Sequence, residues 1–176
     1  MSVIFDTRVA INGKQIGVAT LSNESALNAL TLVMAEQLYE QLLEWEEDPA
    51  IACVVLQGAG DKAFCAGGDI VSLHKSLCEH GEDLTQRYAE QFFELEYQLD
   101  YLIHSYTKPV LCWGHGIIMG GGLSMVGNSP LILLNDLIES TNRNLPSGVA
   151  TLFASLVCMA CSRRTNSSIE RPLLIG

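Results

Sequence analysis

The apolar positions of this chain change period several times, and each change predicts an element. Val9-Ala10-Ile11 and Ile16-Gly17-Val18-Ala19-Thr20-Leu21 flank Asn12-Gly13-Lys14. Asn-Gly between two β-rich runs predicts a hairpin. Ser22 to Leu27 is polar and reads as a loop. From Thr31 the spacing becomes three to four, with Leu32, Met34, Ala35, Leu38, Leu42, Leu43 and Trp45 on one face. That is a helix with Thr31 as its N-cap. Glu44, Glu46, Glu47 and Asp48 load its last turn with the charge sign that the helix dipole disfavours, and read as surface charge. Ile51 to Gly58 is a continuous apolar run, the mark of a strand buried on both faces, and Gly58 to Lys62 is a turn. Asp69 to about Tyr106 is helical, with Leu84, Tyr88, Phe92, Phe93, Leu95, Leu99, Leu102 and Ile103 on one broad stripe whose aromatics count as core. Lys108-Pro109 stops it, Val110 to Gly114 is a second buried strand, and Gly122 to about Met125 opens a further helix. Strands alternating with helices predict an α/β fold with a mainly parallel sheet and crossover helices. Ligands in such folds bind beyond the carboxyl ends of the strands.

Composition narrows the choice of partners. The 176 residues suffice for one domain with a real core. The 48% hydrophobic and 17% charged content favours a well-filled core or a buried subunit interface. A formal charge of −10 and no basic cluster beyond Arg163-Arg164 set nucleic acid aside. Cys53, Cys65, Cys78 and Cys112 lie in or beside apolar runs without ligand spacing, as small buried hydrophobes of a reducing compartment do. Cys158-Met159-Ala160-Cys161 lacks a second pair or a nearby His, so no metal is expected. Met1-Ser2-Val3-Ile4-Phe5 has no signal-peptide pattern, and a cytoplasmic protein is expected. The apolar stretch Val149 to Ala160 is short of the roughly twenty residues a bilayer span needs. It reads as a buried or oligomer-facing helix, and no membrane partner is expected.

The chemistry-bearing features are two glycine clusters, Ala63-Phe64-Cys65-Ala66-Gly67-Gly68-Asp69-Ile70 and Gly116-Ile117-Ile118-Met119-Gly120-Gly121-Gly122. Each follows a predicted strand. Each alone is equally a tight turn. Together they offer uncovered backbone N–H groups from two loops, which is what an oxyanion hole needs. His115 precedes the second cluster and reads either as a substrate contact or as a strand-end residue satisfied by hydrogen bonds. His74, His80 and His104 have no catalytic neighbour in sequence.

Three blocks in this order resemble the crotonase superfamily of enoyl-CoA hydratases and isomerases. They are Ala26-Leu27-Asn28-Ala29-Leu30, then Lys62 through Ile70, then Lys108-Pro109 through Gly120-Gly121-Gly122. The likeness runs from about residue 3 to residue 125. Within the superfamily, Tyr97 to Ile103 and Trp113 to Gly122 are most similar to the 3-hydroxyisobutyryl-CoA hydrolase branch. The resemblance implies a crotonase-like fold of ββα repeats and an acyl-CoA substrate. It implies that the Gly68 and Gly121 N–H groups form the oxyanion hole. It places Ser25, Ala26 and Leu27 against the CoA moiety, with Ala66, Asp69, Ile70 and Gly120 also lining the substrate site. No cofactor is implied, since coenzyme A arrives with the substrate. Trimers or pairs of trimers are implied as the assembly.

The chain also departs from the family. Hydratases carry a Glu two residues after the triple glycine, where this chain has Ser124. The hydrolase branch lacks that Glu too, but has acids further on in a segment that this chain does not show. Only Asp136, Glu139 and Glu170 follow, with Glu139 nearest by position. Residues 1–127 are expected to be an acyl-CoA-binding core. Residues 128–176 are expected to be a divergent tail, truncated or frame-shifted relative to the family. Three functions stay open: thioester hydrolase, hydratase/isomerase, and a catalytically inactive acyl-CoA-binding fragment.

Overall fold

The computed structural model describes residues 2–10, 13–72, 74–75, 82–129 and 131–134. The hairpin forms as expected. Strands β1 (Ser2–Val9) and β2 (Gln15–Ser22) pair antiparallel in register from Ser2 opposite Ser22 to Val9 opposite Gln15. Gly13 takes φ 78 at the turn, and its N–H reaches the Ala10 carbonyl at 2.9 Å. Helix α1 (Leu32–Glu47) starts where the sequence places it, with Thr31 Oγ1 accepting the Met34 N–H at 3.2 Å. Strand β3 (Ile51–Gly58) then returns parallel to β2.

The acidic end of α1 has an answer supplied from a distance. Lys108 Nζ donates to the Trp45 and Asp48 carbonyls at 2.5 Å each, and Lys14 Nζ donates to the Pro49 carbonyl at 2.9 Å. Cations thus sit where the helix dipole wants them. Glu46 is not merely surface charge, because its Oε1 accepts the Thr107 N–H at 2.8 Å.

After β3 come the short strand β4 (Ala63–Cys65) and helical turns at 70–72 and 74–75. Helix α2 (Glu82–Ser105) follows, then β5 (Val110–Gly114), β6 (Ile117–Ile118), α3 (Gly121–Asn128) and β7 (Leu131–Leu134). The main sheet has the order β1-β2-β3-β5-β7, parallel from β2 onward. β4 and β6 make a separate two-stranded parallel sheet that the sequence pattern does not predict. β7 lies beyond the boundary expected at residue 127, so the sheet continues across it.

The core joins the inner faces of α1 and α2 to the sheet, through Met34, Leu38, Leu42, Leu56, Phe64, Leu99, Ile103 and Val110. Phe5 and Trp45 close one end edge-to-face at 5.7 Å. One stripe residue corrects the sequence reading. Phe93 is 46% exposed, because Phe92 already occupies the inward position on that turn. Cys53, Cys65 and Cys112 are buried, as expected. Leu84's side chain, Cys78, the Cys158/Cys161 pair and the apolar stretch from Val149 lie outside the described residues. Among the described residues, no helix is long and apolar enough to cross a membrane.

Replacing Lys108 by Met keeps the aliphatic stem and removes both donations to the end of α1. We expect a loss of about 1 kcal/mol. It is read as a lower urea midpoint at unchanged slope. An unmoved midpoint would show that this cap contributes nothing.

Candidate active site

The two glycine clusters meet. A Cβ built on Gly67 would lie 3.3 Å from the Met119 carbonyl oxygen, and one on Gly120 would lie 3.3 Å from Gly67 Cα. Both residues have positive φ, 98 and 50 respectively. Main chain therefore packs directly on main chain, in backbone conformations that favour glycine. The small sheet aligns this contact, with the Phe64 N–H on the His115 carbonyl at 2.8 Å and the Met119 N–H on the Cys65 carbonyl at 3.0 Å.

The first family-like block closes against the same place. Ala66 N–H donates to the Leu27 carbonyl at 3.0 Å, Leu30 N–H to the Gly67 carbonyl at 2.7 Å, and Asp69 N–H to the Leu30 carbonyl at 2.9 Å. Leu27 (φ 52) and Asn28 (φ 55) are both left-handed, a rare setting for leucine. Asn28 holds the turn. Its Oδ1 accepts the Asn23 N–H at 3.0 Å, and its Nδ2 donates to the Ala59 and Ala63 carbonyls at 2.8 Å each. Nothing in the sequence pattern points to that anchoring role.

Gly68 and Gly121 are each one residue beyond the touching pair. Among the described residues, neither N–H has a hydrogen-bond acceptor. The reason is local. The bridge from Leu30 to this loop uses the Gly67 carbonyl and the Asp69 N–H and passes over Gly68. Gly121 is the first residue of α3, where a backbone N–H has no intrahelical partner. Helix α2 crosses both glycines. A Cβ on Gly68 would meet the Phe92 ring at 2.9 Å, and one on Gly121 would collide with Glu96 Oε1.

Of the other expected site residues, Ser25 is exposed, while Ala26, Leu27 and Ala66 are half-buried beside this junction. Ile70 is 73% exposed. Asp69 is buried, and its carboxylate serves the following turn, accepting from Ser72 N–H at 3.1 Å and Ser72 Oγ at 2.5 Å. Gly120 forms the backbone contact itself. The strand-end reading of His115 needs correction: its Nε2 is buried with no hydrogen-bond partner among the described residues. Glu139 lies outside them.

Glu96 is a site residue that the sequence pattern does not single out. It is only 9% exposed, and burial, then the nearby Asp100 carboxylate, raises its proton affinity above that of an ordinary carboxyl. Asp100, one turn on, is also raised, by burial, with Ser124 and Asn128 nearby opposing the shift, and its Oδ1 is buried without a partner among the described residues. Cys65 lies next to the junction, but burial pushes its thiol up to about 11, which leaves no thiolate for nucleophilic attack. Ser124 Oγ donates to the Gly121 carbonyl at 3.2 Å. Among the described residues, no group of three His, Cys, Asp or Glu is placed to hold a metal ion. The arrangement offers two free amides and a carboxyl of raised proton affinity.

The profile of the enoyl-CoA hydratase/isomerase family matches residues 16–136, about two thirds of the chain. The chain belongs to this family. Its crotonase-like fold agrees with an enoyl-CoA hydratase structure from Rhodobacter sphaeroides at TM-score 0.65 and 32% identity, covering 75% of this chain and 36% of that one. Human mitochondrial 3-hydroxyisobutyryl-CoA hydrolase is 45% identical over 109 residues, which are 62% of this chain and 27% of the relative. The Neurospora crassa small ribosomal subunit protein mS47 is 38% identical over 110 residues, 62% of this chain and 21% of the relative. The chain thus spans about a quarter of the length of the curated relatives it matches.

Two substitutions on α3 separate packing from helix propensity. A Cβ on Gly122 would press into the Cys65 carbonyl and lie 2.7 Å from its Cβ, whereas one on Gly127 meets nothing within 4 Å. We expect Gly122→Ala to cost roughly 1–3 kcal/mol. Gly127→Ala should be neutral or stabilising by up to about 1 kcal/mol. Thermal unfolding of both variants checks this, and the opposite order would refute the packing at Cys65.

Proposed function

We propose that this chain binds acyl-CoA thioesters and hydrolyses them in the manner of a 3-hydroxyisobutyryl-CoA hydrolase. The observation that carries the reading is the pair of acceptor-free amides, Gly68 and Gly121, brought together by the Gly67–Gly120 contact. The 45% identity to a protein named for that reaction supports the choice of chemistry.

The thioester carbonyl oxygen rests between the two N–H groups. Water adds to the carbonyl carbon, the oxygen becomes negative, and the amides favour that state over the ground state. The C–S bond then breaks, and the carboxylic acid and CoA thiol leave. Glu96 gives its proton toward the sulfur and takes the one that the water releases. Its raised proton affinity suits that exchange. Ala26, Leu27 and Ala66 form the CoA side, joined by Ser25, Asp69 and Ile70, with Asp69 acting through its backbone because its carboxylate is engaged by Ser72. The buried cysteines suit a reducing interior, which the expected cytoplasm and the mitochondrial compartment in the relatives' names both provide. Self-association is part of the proposal, and the exposed Phe93, Tyr97 and Tyr101 stripe of α2 offers apolar surface for it.

A second reading is acyl-CoA binding without turnover. The likeness to a protein named as a ribosomal subunit component favours it, because that name describes no enzyme. Hydration is disfavoured by Ser124, which stands where hydratases of the family carry a Glu.

We expect release of free CoA from 3-hydroxyisobutyryl-CoA and no loss of enoyl absorbance from crotonyl-CoA. Gly68→Pro should lower the release by roughly 100- to 1000-fold, the usual effect of losing one oxyanion donor. Full activity in a folded Gly68→Pro variant would contradict the oxyanion assignment. Binding of both thioesters without turnover would select the second reading.

A further inference from the structure

We infer that Phe92 sets the length of acyl chain that this site accepts: its ring fills the space over Gly68 and confines the acyl arm of a bound thioester to a short one. The inference deepens the proposed reading of the site and rests on it for the chemistry of the ligand.

Helix α2 meets the two glycine clusters with two side chains one turn apart, Phe92 and Glu96. A Cβ on Gly68 would lie 2.9 Å from both Cε1 and Cζ of Phe92. The outer edge of the ring is therefore what approaches Gly68. Phe92 is 2% exposed, yet it stands apart from the apolar cluster that ties α1 and α2 to the sheet. A large aromatic buried outside the main core is placed by its local contacts. Here these are the Gly68 backbone and the Phe93 ring, which lies edge-on at 5.5 Å.

The Gly68 backbone is itself fixed. The Leu30 N–H on the Gly67 carbonyl at 2.7 Å and the Asp69 N–H on the Leu30 carbonyl at 2.9 Å hold the residues on either side of it. Its own carbonyl accepts the Ile70 N–H at 2.9 Å. The gap between this loop and α2 thus has a set width, and the ring edge occupies it. Glycine at 68 belongs to the same device, since a side chain there would need the space that the ring takes.

A thioester carbonyl is planar. With its oxygen on the two amides, its sulfur and its acyl carbon leave on opposite sides. The sulfur side leads to Ala26, Leu27 and Ala66, so the acyl arm runs to the α2 side. A short arm ends beside the ring. Each further carbon has to push the ring aside or turn back into water, and a ring packed on main chain moves only at a cost.

The test is calorimetric binding of butyryl-CoA and octanoyl-CoA to the full chain and to Phe92→Ala and Phe92→Leu variants. The parent should bind octanoyl-CoA no more tightly than butyryl-CoA. Phe92→Ala should shift that ratio toward octanoyl-CoA by roughly tenfold or more, because each methylene moved from water into an apolar cavity is worth about fourfold in affinity. Phe92→Leu should shift it the same way by less, and decides alone should Phe92→Ala fail to fold. An unmoved ratio in a folded variant overturns the inference, and so does equal weakening of both ligands, the mark of a merely structural role. A parent that already favours octanoyl-CoA by roughly tenfold, the gain set by the same methylene increments, overturns it as well. Absence of binding of either thioester to parent and variants refutes the acyl-CoA reading and the inference with it, whereas binding at an unmoved ratio refutes only the role of Phe92.

Discussion

Backbone lying on backbone at Gly67 and Gly120 is the contact on which the rest of the site depends. At this spacing a side chain on either residue would press on the other loop, and both residues have positive φ. The residues that follow the touching pair, Gly68 and Gly121, are those whose N–H groups have no acceptor among the described residues. The short β4–β6 sheet exists at the same junction and holds the loops in register. Backbone bonds from Phe64, Ala66, Ile117 and Met119 link it to the loops around it. The site is thus built from main chain, and the fold's contribution is to leave two donors unused.

Around that junction lies one layer of side chains, each of which fixes the identity of a glycine. Phe92 lies over Gly68, Glu96 over Gly121, and Cys65 against Gly122. α2 therefore does more than cover the sheet. Its inward stripe carries an acid between Phe92 and Leu99, in a position that an ordinary core would fill with an apolar residue. The tolerance of that acid follows from its neighbours. It sits at the positive end of a helix, while burial and a second carboxyl one turn away raise its proton affinity.

Much of this is legible in the sequence where periodicity is long enough to read. The Asn-Gly turn marks the β1–β2 hairpin, and the run before Leu21, the three-to-four spacing after Thr31 and the continuous apolar runs at Ile51 and Val110 mark β2, α1, β3 and β5 nearly to the residue. The glycine clusters are legible because a glycine beside a buried strand marks either a turn or a close approach of two backbones. What escapes is short or disguised. β4 and β6 are three and two residues long and carry no period. β7 follows a helix of only eight residues, and its apolar run reads as the start of an unrelated tail. Glu96 is hidden because a stripe is recognised by its apolar members, and the acid interrupting it at 96 is the available signal. Phe93 is misplaced because adjacent aromatics cannot both face inward on one helix. Asp69 is expected at the substrate, but a buried carboxylate two residues before Val71 finds Ser72 first.

The most direct measurement is the amide spectrum of Gly68 and Gly121 during addition of an acyl-CoA. If both N–H groups point at one carbonyl oxygen, their proton signals should move downfield together and follow a single binding curve. Acyl-CoA that binds while both signals stay in place, or that moves only one of them, would contradict the shared oxyanion site.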